Sequence, residues 1–89
     1  MRIREGFVLR KIVGEYVVIG EGLKQVNFNK MISLNESAAY LWQGVEGKDF
    51  SVGDLTRLLT GKYEVSDEQA SADAEALARK WIDAGVVEE

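Results

Sequence analysis

Between Met31 and Trp42 the apolar period of the chain changes from that of a strand to that of a helix, and the place of that change constrains the fold more than any other feature. Ile32 and Leu34 alternate with Ser33, as in a strand with one buried face. Ala38, Leu41, Trp42 and Val45 then recur at helical spacing. Two residues qualify as the cap of that helix: Ser33, with Glu36 three positions on in a capping-box pattern, or Asn35, immediately before the first helical residues.

Before the change the chain reads as strands. Phe7 to Ile12 and Glu15 to Ile19 are β-rich runs, and Val13-Gly14 between them fits a tight hairpin turn. Gly20, Glu21 and Gly22 break the second run. A third strand resumes with Val26 and Phe28 and continues from Met31 to Leu34, with Asn27, Asn29 and Lys30 suggesting a bulge or turn.

After the change three helices are expected. The first runs from about Asn35 to Val45 and is closed by Gly47. The second starts after Ser51, shows Val52, Leu55, Leu58, Leu59 and Tyr63 on one face, and places Asp54 where it can reach back to the cap. The third is capped by Ser66, with Gln69 as its capping-box partner, and Asp67 and Glu68 sit at the positive end of its dipole. Its stripe of Ala70, Ala74, Leu77, Ala78, Trp81 and Ile82 ends at Gly85, a left-handed stop before Val86 and Val87.

Strands followed by helices give an α+β domain in which a three-stranded antiparallel sheet buries one face against helices one and three. With 89 residues, 46% of them hydrophobic, the chain has room for one domain and one small core. Trp42, Leu41, Leu77 and Trp81 each contribute about 1.5 to 3 kcal/mol there if fully enclosed.

Composition narrows the chemistry. The chain has no cysteine and no histidine, which removes disulfides, thiol nucleophiles, imidazole bases and the usual zinc sites. Gly20-Glu21-Gly22 lacks the following helix that a nucleotide fingerprint requires, and Glu36 and Asp54 are accounted for as helix caps. An enzyme is therefore not expected, and no cofactor or metal is called for. Arg2-Ile3-Arg4-Glu5 after Met1 resembles neither a secretory signal nor a membrane span, so a cytoplasmic location is the default.

The phrase Leu34-Asn35-Glu36-Ser37-Ala38-Ala39-Tyr40-Leu41-Trp42, preceded by Phe7-Val8-Leu9-Arg10 and Tyr16-Val17-Val18 and ended by Ala84-Gly85-Val86-Val87, resembles the PqqD-like proteins of pyrroloquinoline quinone biosynthesis. The resemblance spans nearly the whole chain. It implies a winged helix-turn-helix-like fold and a single recognition domain over residues 1–89. It further implies a domain that binds the leader of a ribosomally made precursor peptide and presents it to a modifying enzyme, often a radical S-adenosylmethionine enzyme, without itself doing chemistry.

An exposed sheet edge suits that task, because an extended peptide completes its unpaired backbone groups while pockets beside it give selectivity. By resemblance, the leader pairs antiparallel to the third strand near Asn29 to Leu34 and lies in the groove beside helix three. The expected peptide contacts are Met31, Ile32 and Ser33 on the strand and Asp73, Leu77, Lys80 and Trp81 on the helix. A proline at Ile32 is expected to remove a donor from that edge. The plain alternatives are core packing for Met31, Ile32, Leu77 and Trp81 and a solvated face for Asp73 and Lys80. An open edge also leaves self-pairing into a homodimer available.

The rival reading is a winged-helix DNA-binding or transcription-regulatory domain. Charge opposes it. The formal net charge is -4, and helix three carries Asp67, Glu68, Asp73, Glu75 and Asp83 against Arg79 and Lys80, so neither nucleic acid nor membrane is the expected partner.

Overall fold

The computed structural model describes residues 1–21 and 31–89. The described elements run in the order β1 (Arg2–Ile3), β2 (Phe7–Ile12), β3 (Glu15–Gly20), β4 (Ile32–Leu34), α1 (Glu36–Val45), α2 (Val52–Lys62), α3 (Asp67–Ala84) and β5 (Val87–Glu88). β2, β3 and β4 form an antiparallel sheet in that order, followed by the three helices, which is the expected α+β architecture. The part of the expected third strand around Val26 and Phe28 lies outside the described residues.

The β2–β3 hairpin turns through Val13 and Gly14, both with positive φ, 49° and 79°. Two left-handed central residues make the turn type whose twist matches the flanking strands, and Asn or Gly is normal at both. Val13 is β-branched and 97% exposed, so it is strained and gains nothing from burial. Val13→Asn is therefore expected to stabilise the domain by about 1 kcal/mol, since a left-handed L-residue costs roughly 1–2 kcal/mol. Urea denaturation checks it; an unchanged or lowered midpoint would show that the turn carries no such strain.

Each helix begins at a side-chain cap. Asn35 caps α1, its Oδ1 accepting the Ala38 amide at 2.8 Å and the Ser37 hydroxyl at 3.1 Å; Ser33 stays in the strand. Ser51 and Asp54 form a reciprocal capping box on α2, with bonds of 3.1 and 2.9 Å. Ser66 Oγ accepts the Gln69 amide at 3.1 Å, but the Gln69 side chain donates to Asp73 at 2.8 Å instead of returning to the cap, so only half of the expected box on α3 forms. The helix offers Gln69 an i,i+4 partner on the same face.

The Ser51 backbone N–H, and then the Arg57 side chain, lower the pKa of Asp54 from its ordinary 3.8. A depressed carboxylate stabilises the fold in full above its unfolded value, and this contribution is lost as pH falls below about 3.8 through the folded value. Asp54→Asn should accordingly lose less stability than the wild type between pH 4 and pH 2 in acid titrations followed by circular dichroism. Parallel curves would contradict this.

One core joins sheet and helices: Val18 and Leu34 from the sheet, Ala38, Ala39, Leu41, Trp42 and Val45 from α1, Leu55 and Leu59 from α2, and Ala70, Ala74, Ala78 and Trp81 from α3. Trp42 and Trp81 are both fully buried and meet edge to face, with ring centroids 5.2 Å apart and planes at 85°. α1 approaches α2 closely at Gly44, where a Cβ would lie 2.8 Å from Leu58 Cδ1.

A second, two-stranded sheet, β1 with β5, is present that the sequence pattern does not predict. Gly85, at φ 81°, stops α3: its amide bonds Ile82 O at 3.0 Å and the Val86 amide bonds Trp81 O at 3.1 Å, a Schellman ending. That turn sends Val86 and Val87 back into the core, where β5 pairs with β1 through Ile3↔Val87 and Arg2↔Glu88. The two strands are only two residues long, too short for a period of two to register.

Candidate functional site

The hydrogen-bond phase of the three-stranded sheet follows from its turn. In a two-residue hairpin the closing pair, here Ile12↔Glu15, exchanges both backbone bonds, and bonded and non-bonded pairs then alternate. Ile12, Arg10 and Val8 therefore bond to Glu15, Val17 and Ile19. The Glu21 amide on Gly6 O at 2.6 Å continues the same phase. β3 thus turns Tyr16 and Val18 toward β4, where their partners are Leu34 and Ile32.

By this alternation the Ile32 and Leu34 backbone groups are consumed by β3, while the Ser33 N–H and C=O point away from the sheet. No described residue pairs with that outer edge. The edge donor in β4 is therefore Ser33. A proline at Ile32 would break the bond to β3, contrary to the sequence-based expectation; period-two patterning locates faces but not hydrogen-bond phase.

Side chains alternate the other way. Leu34 is buried and Ile32 is half-buried against the core, whereas the Ser33 side chain lies on the opposite face with Val17. Beside the edge is a small cleft of about 70 Å³, lined by Ile32, Ser33, Leu34 and Asn35, by Ala38 of α1, and by Leu77, Lys80 and Trp81 of α3. α3 places Leu77, Lys80 and Trp81 on one face by their three- and four-residue spacing.

Five of the seven residues singled out from sequence thus come together: Ile32, Ser33, Leu77, Lys80 and Trp81. Met31 is 58% exposed, immediately before β4 and outside the lining of the cleft. Asp73 lies one turn before Leu77, also outside the lining, with its carboxylate bonded to Gln69. Trp81 is fully buried, so it forms the floor of the cleft and not its surface. Asn35 and Ala38, expected from sequence only as cap and core, also line the cleft, and so does Leu34, which shares the face of Ile32 by simple alternation.

The cleft is of mixed polarity: Ile32, Leu34 and Leu77 supply its aliphatic part, Ser33 and Asn35 its neutral polar part, and Lys80 its one cationic side chain. Lys80 is exposed and has no ion-pair partner among the described residues, where Arg2–Asp49, Arg10–Glu21 and Arg57–Asp54 are the pairs formed. Among those residues no group of three or more Asp and Glu side chains is arranged to hold a metal ion, and no helix is long and apolar enough to cross a membrane.

A solved structure of TbiB1 in complex with the TbiA(beta) leader peptide is similar in fold, with a TM-score of 0.74 and 18% identity over 99% of this chain and 95% of that one. No curated protein matches the chain significantly. The profile of the family described as coenzyme PQQ synthesis protein D (PqqD) matches residues 15–87, from the second strand of the hairpin through α3 to the returning strand β5, and on that match the chain belongs to the PqqD family.

Proposed function

We propose that the chain is a non-catalytic recognition domain that binds the leader of a ribosomally made precursor peptide as an added strand on β4 and presents it to a modifying enzyme of the radical S-adenosylmethionine class. The observation that carries this reading is the outward-facing Ser33 N–H and C=O beside a cleft walled by α3. Membership of the PqqD family supports it, as does a fold shared with TbiB1, a protein solved with a leader peptide.

Antiparallel addition gives the leader a register. The residue opposite Ser33 exchanges two backbone bonds with it and turns its own side chain away from α3. The residues before and after it, opposite Ile32 and Leu34, turn theirs into the cleft. The leader therefore offers two side chains two positions apart, at least one of them aliphatic to match Ile32, Leu34 and Leu77, with an acidic group within reach of Lys80.

Calorimetric titration with a synthetic leader, taken from a precursor gene neighbouring this one, tests the reading. Wild type should bind saturably, and Lys80→Glu should weaken binding about 3- to 10-fold with a reduced salt dependence, the size expected of an exposed charge pair reversed. Absence of binding, together with micromolar salt-sensitive binding to duplex DNA, would instead favour the nucleic-acid reading.

A further inference from the structure

β3 outruns β4. The last pair between them is Tyr16↔Leu34, and Asn35 then leaves the sheet to cap α1, so among the described residues no strand lies beside Glu15 on that side. The gap is a cleft of about 510 Å³ between Lys11, Glu15 and Tyr16 of the hairpin and Asn35 and Glu36 at the start of α1. Ser33, Leu34 and Asn35 border both this cleft and the one at α3, so the two follow one another along the β4 edge.

We infer that this second cleft is a further subsite for the leader, which takes a basic side chain from the segment ahead of the paired strand. The inference rests on strand addition at β4. A leader antiparallel to β4 carries its N-terminal part past Leu34, and two more extended residues span about 7 Å in the direction of Asn35 and Glu36. Leu34, Tyr16 and Lys11 share one face of the sheet, because they pair in register. Alternation sets the leader side chain two positions before the one opposite Leu34 on that same face.

Charge names the occupant. Glu15 and Glu36 are exposed and form no ion pair among the described residues. Lys11, the one cation in the lining, is turned onto the Tyr16 ring, with Nζ 5.3 Å from the centroid. A leader lysine or arginine therefore meets two carboxylates here. The subsite also fixes the direction of the leader: a chain added in the opposite sense would carry its base toward Met31, away from both carboxylates.

Calorimetry with two N-terminally acetylated peptides tests the inference. One is the leader from the neighbouring precursor gene, and the other is the same leader cut to begin at the residue opposite Leu34, the register being read from nuclear Overhauser contacts to Ser33. The full leader should bind wild type about fivefold more tightly than the cut one. Glu15→Gln with Glu36→Gln should weaken the full leader about 3- to 10-fold and Lys11→Gln should tighten it about twofold, while the cut peptide, which also reports that each variant is folded, binds all three proteins alike. Equal binding of both peptides to wild type, or equal shifts for both in the variants, would overturn the subsite and leave strand addition at β4 standing. Weaker binding of the full leader by Lys11→Gln would make the occupant acidic and also overturn it. Failure of both peptides to bind wild type would overturn strand addition itself, and the subsite with it.

Discussion

Ser33→Pro is expected to abolish leader binding while the domain stays folded, and Ile32→Pro to damage the fold itself. The two substitutions are adjacent, yet the phase of β4 gives them opposite targets. At Ser33 the amide lost is the one facing away from the sheet, a position where proline is tolerated in edge strands, and Ile32 before it is already extended. The proline ring also occupies the space of an incoming strand, so affinity should fall at least 100-fold. At Ile32 the amide lost is bonded to Val18, and the half-buried side chain goes with it. That combination costs about 2–4 kcal/mol. Calorimetry with thermal melts separates the two. Equal binding by Ser33→Pro and wild type would remove β4 as the docking edge.

Trp81→Ala is expected to cost about 3–5 kcal/mol, a large share of the total stability of a domain this size. Trp81 is fully enclosed, meets Trp42 edge to face and floors the cleft, so its removal opens both core and site. Trp81→Phe is the informative companion. Neither Trp81 Nε1 nor Trp42 Nε1 has a hydrogen-bond partner among the described residues, and an unpartnered buried donor costs about 1–3 kcal/mol. Phenylalanine gives up ring area but also removes one such donor, so it should destabilise by less than about 1.5 kcal/mol. Urea denaturation of the two variants checks the pair. A Phe variant as unstable as the Ala variant would mean that the indole nitrogen is satisfied.

Much of this architecture was legible in the residues because each element is punctuated. Val13-Gly14, Asn35, Ser51, Ser66 and Gly85 mark their boundaries through local backbone chemistry, and local chemistry is what a sequence displays. The return of Val87 to Ile3 was not legible, since nothing near either residue encodes a partner more than eighty positions away. The site divides the same way. Leu77, Lys80 and Trp81 share a helical face that spacing reveals. Whether Ile32 or Ser33 offers its backbone outward depends on the hairpin phase carried across β3, which no single strand contains.

Amide hydrogen exchange by NMR, read residue by residue with and without a synthetic leader peptide, tests the central claim most directly. In the free protein the Ser33 amide should exchange quickly while the Ile32 and Leu34 amides are protected by β3. Saturating leader should slow Ser33 by at least 100-fold and leave Phe7, Leu9 and Lys11 on the opposite border unchanged. A Ser33 amide that stays fast in the bound state, with new protection on β2 instead, would contradict strand addition at β4.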